Sequence, residues 1–201
     1  MNIPTNIFAL ASVLLLSATI SAQAPLTVDA TASKVVWTGT QITGPHSGTI
    51  NVADGQVEWS TEGLAGATMT LDMSSIKNTD MKEELAAKLE GHLKSADFFN
   101  AAEFKTATFQ TTNVSKIDGA ESGKPNYTVT GDLTIKGITK PITFDVLAWR
   151  DGKTARVAGN AVFNRAHYDV RHGSASFFND IGDKMIEDNV ELTFDLTSRE
   201  K

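Results

Sequence analysis

The side chains best suited to acid–base chemistry or metal binding are four histidines, His46, His92, His167 and His172. A zinc site built on one element needs ligands on the same face, as in His-x-His on a strand or His-x-x-x-His on a helix. No pair here has that spacing, and His167 and His172 would point to opposite faces of one strand. The pattern favours structural or surface histidines, so no metal site is predicted unless distant segments meet.

Nucleophilic catalysis has no recognisable motif either. The chain has no cysteine, and Gly173-Ser174-Ala175-Ser176 is not a Gly-x-Ser-x-Gly elbow and has no strand-turn-helix context. The paired carboxylates Glu83 and Glu84 fall on a predicted helix surface, where solvated charge is the ordinary role. We therefore predict no catalytic residue, no cofactor and no enzymatic activity.

Composition excludes several classes of protein. The chain has 201 residues, a formal charge of −6 and 41% hydrophobic residues, which is typical of one soluble globular domain. An acidic protein without a Lys/Arg stripe repels phosphate backbones, so nucleic acid is not an expected partner. No stable membrane span is predicted.

The N-terminus has the pattern of an export signal. An apolar run from Ile7 to Ile20 is too short to span a bilayer comfortably, and it ends in the small residues Ser21-Ala22-Gln23-Ala24. We predict a signal peptide over residues 1–22 and one domain over 23–201, located in a bacterial periplasm or secreted. Without cysteine, that domain must depend on its core alone.

Beyond Leu26 the dominant period is two, which is typical of half-buried strands with one apolar and one Thr-rich face. The clearest alternation runs through Met69–Met73, Val129–Ile135, Ile142–Val146 and Val190–Leu196. Weaker strands are predicted at Lys34–Gln41, Gly48–Val52, Gln56–Ser60, Lys105–Val114 and Ala155–Asn164. Turn residues separate them, among them Asp54-Gly55 and Asp151-Gly152.

One segment, Asp80–Leu93, has the pattern of an amphipathic helix. Asp80 is the predicted N-cap and Gly91 the predicted stop, with Met81, Leu85 and Leu89 on the apolar face. A sheet with one apolar face must close or pack on another sheet, and closure removes its edges. The pattern therefore predicts an all-β fold of about eight to ten strands, with this helix over a barrel mouth if the sheet closes.

Several ordered segments resemble the YceI-like, polyisoprenoid-binding family. They are His92–Phe99, Glu103–Phe109, Val129–Thr143, Ser75-Ile76 with Asn78–Asp80, and Asn164-Arg165 with Tyr168. The resemblance implies an eight-stranded antiparallel, lipocalin-like barrel with the helix near one mouth. It also implies an elongated apolar tunnel that holds a long isoprenoid or similar amphiphile.

The chain departs from the family pattern at three places. Glu90-Gly91 stands where the family often has Arg-Asp, and Asp29–Ser33 lacks a histidine. Asp169 replaces a frequent glycine, and it tolerates left-handed backbone better than most residues.

The predicted ligand-binding residues are apolar strand positions, rings of two aromatic pairs and three polar groups near a mouth. The strand positions are Trp37, Met69, Leu71, Leu133, Ile135, Phe144, Phe163, Leu192 and Phe194. The rings come from Phe98 and Phe99 and from Phe177, and the polar groups are His46, His92 and Arg165. Three inward-facing strand positions are occupied by small residues, Gly131, Gly159 and Ala161. Small residues there indicate interior space that side chains do not fill.

Two alternatives to a carrier stay open at this point. The first is a structural or interaction barrel whose core is filled by its own side chains, with no ligand. The second is an enzyme that acts on a bound lipid. Edge strands or the helix also leave room for a homodimer.

Overall fold

The computed structural model describes residues 24–179, 182 and 185–200. The predicted signal peptide, residues 1–22, lies outside the described residues. The elements in chain order are β1 (Leu26–Val28), β2 (Lys34–Gln41), β3 (Gly44–Ser60), β4 (Gly63–Asn78), α1 (Glu83–Lys94), β5 (Thr106–Lys116), β6 (Tyr127–Ile135), β7 (Ile138–Asp151), β8 (Thr154–Asn164), a 3-10 helix (Arg165–Tyr168) and β9 (Ile186–Arg199). Among the described residues, no helix has the length and apolar character needed to cross a bilayer.

Eight of the strands form a closed antiparallel barrel, which confirms the predicted fold. Their order around the wall is β3-β2-β9-β8-β7-β6-β5-β4, and β4 pairs again with β3. The short β1 is an additional strand that lies beyond the N-terminal end of β2. Its Leu26 pairs with Val57 of β3, and its Val28 pairs with Ser198 of β9. Closure supplies the backbone groups of every long strand with partners on both sides.

The predicted turn at Asp54-Gly55 is wrong. Both residues lie inside β3, opposite Thr70 and Met69 of β4, at a register shift typical of a β-bulge. The flanking segments pair with the same neighbour, so the Asp-Gly sequence bends one long strand instead of reversing it. The reversal comes later, where Gly63 has φ +116°.

The predicted helix boundaries also need correction. Asp80 is not the N-cap, because α1 begins after Lys82 and has no side-chain cap, and Gly91 does not end it. The buried face contains Ala86 and Leu93, whereas Leu85 is 49% exposed.

The orientation of α1 follows from a contact with the end of β4. Glu90 accepts hydrogen bonds from the Asn78 backbone N–H at 3.0 Å and from Lys77 Nζ at 2.9 Å. This latch turns the Glu90 side of the helix toward the barrel and leaves Leu85 pointing outward.

The two ends of the barrel are packed differently. The end that carries the β3–β4, β5–β6 and β7–β8 turns is filled by side chains that are essentially inaccessible, among them Leu26, Val57, Val146 and Ala155. The other end carries α1 and the β8–β9 connection, and we call it the helix end. Between these ends several inward residues, including Met69, are only partly buried although they face the interior.

Candidate functional site

The barrel interior contains two apolar cavities. The upper chamber, at the helix end, has a volume of about 120 Å³ and the lower chamber about 100 Å³. Each far exceeds the roughly 10–15 Å³ that one water molecule requires. α1 contributes Leu89, His92 and Leu93 to the upper chamber, and the following segment adds Phe98 and Phe99.

The two chambers adjoin through a shared ring of residues. Leu71, Ala107, Leu133 and Leu192 line both chambers, and we call these four residues the waist. They come from β4, β5, β6 and β9, and Leu71 lies directly opposite Ala107 in the sheet. The chambers therefore adjoin at the waist, and we call the two together the bore.

Most of the predicted ligand-binding residues lie around this bore. The upper chamber brings together Trp37, Leu71, Leu133, Ile135, Phe163, Leu192, Phe98, Phe99, His46, His92 and Arg165. The lower chamber adds Met69, Phe144 and Phe194.

Phe177 lies outside the lining of both chambers. It is 40% exposed, with the Arg171 guanidinium 5.1 Å from its ring centroid. Its aromatic partner Phe178 is 52% exposed, so the second Phe-Phe pair lies on the surface.

Sequence reasoning missed several lining residues, chiefly Ile50, Ile76, Ala107 and Phe109. Ala107 and Phe109 alternate with threonines on β5, and this phase was detectable. The strand contains few large apolar side chains, however, so its alternation of apolar and polar residues is weak. Ile50 lies in β3, which the predicted Asp54-Gly55 turn had divided.

The hint of unfilled room at Gly131 and Gly159 is explained differently by the structure. A Cβ at Gly131 would lie 2.3 Å from Phe109 Cζ, and one at Gly159 would lie 3.0 Å from Phe194 Cζ. Aromatic rings therefore already cover both glycines. Ala161 does line the lower chamber.

His46 is fixed at the upper chamber by a carboxylate. Its Nδ1 lies 3.1 Å from Asp80 Oδ2, and because a carboxylate only accepts, Nδ1 carries the proton. Burial alone would raise the pKa of Asp80, but hydrogen bonds from Asn78, His46 and the Ser47 backbone hold that pKa below its ordinary value. In the neutral imidazole, Nε2 is left as an acceptor.

His92 meets a second histidine from a distant segment. Its ring centroid is 4.4 Å from that of His172 and 5.5 Å from that of Phe98, both edge-on. Burial lowers the pKa of His92, the neighbouring His172 lowers it further, and Asp97 acts in the opposite direction. In the described part of the chain, no three His, Asp or Glu side chains converge as a metal site.

Arg165 is fully buried and donates hydrogen bonds to backbone carbonyl groups. Its guanidinium donates to the carbonyl oxygens of Glu187, Val170, His172 and Ile186 at 2.8–3.1 Å. Nη2 also lies 3.3 Å from Asp188 Oδ1. These contacts engage the guanidinium donors in holding the β8–β9 connection.

The remaining residues of the Asn164–Tyr168 segment are structural as well. The Asn164 side chain caps the 3-10 helix by accepting from the Ala166 N–H, and Tyr168 is buried against Phe163. Asp169 ends this helix with φ 58° and ψ 32°, the left-handed geometry that its replacement of a glycine had suggested.

We predict that Arg165→Met destabilises the fold by about 3–5 kcal/mol, because it removes the cation that pairs with Asp188 and leaves several buried carbonyl groups without their donor. Urea denaturation measures the loss. Arg171→Met is the matched control, since its ion pair with Asp169 is exposed and contributes less than about 1 kcal/mol. Equal effects of the two substitutions would contradict the structural role of Arg165.

We also predict that the free energy of unfolding falls between about pH 7 and pH 5 because of His92. The unfolded chain takes up a proton near the ordinary histidine value, while the folded protein resists it to a lower pH. The unfolded state therefore binds more protons, and stability is lost as the pH falls. Urea denaturation at several pH values across this range measures how steeply the free energy of unfolding changes with pH. This dependence should be smaller for His92→Gln and unchanged for His167→Gln, which is at an exposed position.

Comparison with known proteins gives consistent relatives. A 68-residue segment is 44% identical to protein YceI of Escherichia coli O157:H7 and covers 34% of this chain and 32% of that protein. The chain thus matches about a third of the length of that curated relative. A UPF0312 protein of Vibrio parahaemolyticus is 29% identical over 137 residues, which are 65% of this chain and 68% of that protein.

Solved structures share the fold. BcnA of Burkholderia cenocepacia is 26% identical with a TM-score of 0.66, and the match covers 85% of this chain and 98% of that one. A polyisoprenoid binding domain from Saccharophagus degradans is 19% identical with a TM-score of 0.61, over 87% and 98% of the two chains. The family model for the YceI-like domain matches residues 26–198, and the chain therefore belongs to the YceI-like family.

Proposed function

We propose that this protein is a carrier that holds a long apolar amphiphile of isoprenoid or fatty type inside the barrel, without catalysis. The observation that carries this proposal is the continuous apolar lining of two adjoining chambers. Side chains fill the interior at the opposite end, whereas space remains between the waist and α1. A barrel with a filled core, the main alternative, would bury those inward side chains against one another.

Burial of the tail supplies enough free energy for retention. Each methylene removed from water contributes roughly 0.8 kcal/mol, so about ten contribute roughly 8 kcal/mol before the costs of association are subtracted. Longer tails therefore reach micromolar affinity or better. Because this contribution is not directional, specificity depends mainly on the length and width of the bore.

The polar groups at the upper chamber favour an uncharged head group. Among the described residues that line this chamber, Arg165 is the only Lys or Arg, and backbone carbonyl groups accept from its donors. His46 presents an imidazole oriented by Asp80, and burial lowers the pKa of His92, which favours its neutral form. This set fits a hydroxyl or carbonyl head better than a phosphate.

Export of the carrier is part of the proposal. The leader-like residues 1–22 support delivery to a periplasm or to the exterior, where a free lipid tail needs shielding from water. The S. degradans relative, described as a polyisoprenoid binding domain, supports the isoprenoid class of ligand.

The test is mass spectrometry of an organic extract from protein purified under native conditions from its own host. We expect a long-chain lipid in near-stoichiometric amount. Leu89→Trp places an indole at the roof of the upper chamber and should strongly reduce the retained lipid. Leu85→Trp is the matched control on the exposed face of the same helix and should retain it.

Circular dichroism of both variants checks that the barrel is intact. Wild-type protein that yields no lipid, and binds none when lipid is added, would support the filled-core alternative.

A further inference from the structure

The lower chamber is chemically distinct from the upper one. Among the described residues, its lining contains no charged side chain, and Thr108 and Thr111 are the only hydroxyl-bearing residues in it. Thr111 Oγ1 already accepts a hydrogen bond from the Ala67 backbone N–H, and Thr108 is an exposed residue of β5. The upper chamber, by contrast, includes His46, His92 and Glu187, so a polar head suits the upper chamber and hydrocarbon suits the lower one.

One side of the lower chamber is an arc of aromatic rings. Phe109 of β5, Phe144 of β7 and Phe194 of β9 form this aromatic arc, with ring centroids 5.4 and 5.7 Å apart in succession. Gly131 of β6 and Gly159 of β8 are the residues of the intervening strands that these rings cover.

The two glycines let the rings lie against the wall. A Cβ at Gly131 would overlap the Phe109 ring, and one at Gly159 would press on the Phe194 ring and the Asp145 carbonyl. A side chain at either glycine would displace its ring toward the axis and narrow the bore. The combination of large rings over glycines therefore keeps the lower chamber open while still packing its wall.

The waist lies between the lower chamber and the upper one. Ala107 is the smallest of the four waist residues, and the other three are Leu71, Leu133 and Leu192. A slightly larger side chain at this position would separate the chambers.

We infer that the lower chamber is a chain-length subsite, which takes the far end of the ligand's tail after it has passed the waist. This inference rests on the proposed carrier function and adds a specificity determinant to it. Short tails end in the upper chamber, whereas longer tails gain affinity by entering the lower one. The tail length at which affinity stops rising is set by the aromatic arc and the filled end beyond it.

The dimension of the subsite is substantial. Leu71 of the waist and Leu64 both line the lower chamber and lie seven residues apart on β4, so the chamber extends along several residues of the barrel wall. Each further methylene buried there tightens binding by about fourfold before ordering costs. Tail lengths are therefore discriminated by large factors.

The experiment offers the protein a mixture of prenyl alcohols of increasing length, namely geraniol, farnesol, geranylgeraniol and solanesol. Resident lipid is first removed by denaturation and refolding, which the absence of cysteine simplifies. Bound alcohols are then extracted and quantified by mass spectrometry. In the wild type we expect affinity to rise with length and then to level off.

Two substitutions should move that limit in opposite directions. Ala107→Leu narrows the waist and should weaken binding of the longest alcohol by at least about tenfold, with geraniol unchanged within about twofold. Phe144→Ala opens the aromatic arc and should move the limit to a longer alcohol. Gln110→Leu, at an exposed position on β5, is the matched control and should behave as the wild type.

The outcomes separate this inference from the proposed function. If the wild type binds prenyl alcohols but Ala107→Leu and Phe144→Ala leave the length limit unchanged, the subsite is refuted and the carrier stands. If Ala107→Leu weakens all lengths equally, the two chambers are not consecutive and the subsite is again refuted. If the wild type binds no alcohol of any length, both proposals are refuted. Thermal unfolding of each variant confirms that the folded barrel is being compared.

Discussion

Closure of the sheet is the constraint on which the rest of this protein depends. When β4 pairs with β3, the backbone donors and acceptors of eight strands are satisfied within the wall. Side chains complete the pairing where the ladder is irregular, as Thr111 Oγ1 does for the Ala67 N–H. The interior can remain partly empty because mainly apolar side chains face it, and an open sheet of the same residues would have to cover that face with another layer.

The helix end shows how the mouth of such a barrel is held without closing the bore. Glu90 attaches α1 to the end of β4 through the Asn78 backbone and Lys77. Arg165 attaches the β8–β9 connection through several carbonyl groups. Both contacts are directional and independent of the apolar packing, so the roof over the upper chamber does not require the chamber to be filled.

The interior itself combines tight packing with retained space. The aromatic arc lies directly on Gly131 and Gly159, so large rings line the lower chamber while the bore stays open. At the waist, one alanine stands beside three leucines, and all four residues line both chambers. A few side-chain volumes thus decide whether the barrel has one chamber, two chambers or none.

The fold class and most of the residues that line the chambers could be predicted from the sequence. Alternation of apolar residues with threonine specifies which face of each strand turns inward, because side chains on a strand have a period of two. Resemblance to the YceI-like family then placed the helix at a barrel mouth. Residues such as Trp37, Leu71 and Phe194 follow directly from this phase, and the structure places them around the bore.

The roles of residues whose partners are distant in sequence depend on contacts that form when the barrel closes. Asp80 has the local pattern of a helix cap, yet its carboxylate binds His46 and Asn78. Arg165 was predicted to bind the head of a ligand, yet it donates hydrogen bonds to backbone carbonyl groups distant in sequence. Phe177 was predicted to line the tunnel, yet it lies on the surface. Spacing along the chain reports local geometry, whereas hydrogen-bond partners and empty volume depend on which strands become neighbours when the barrel closes.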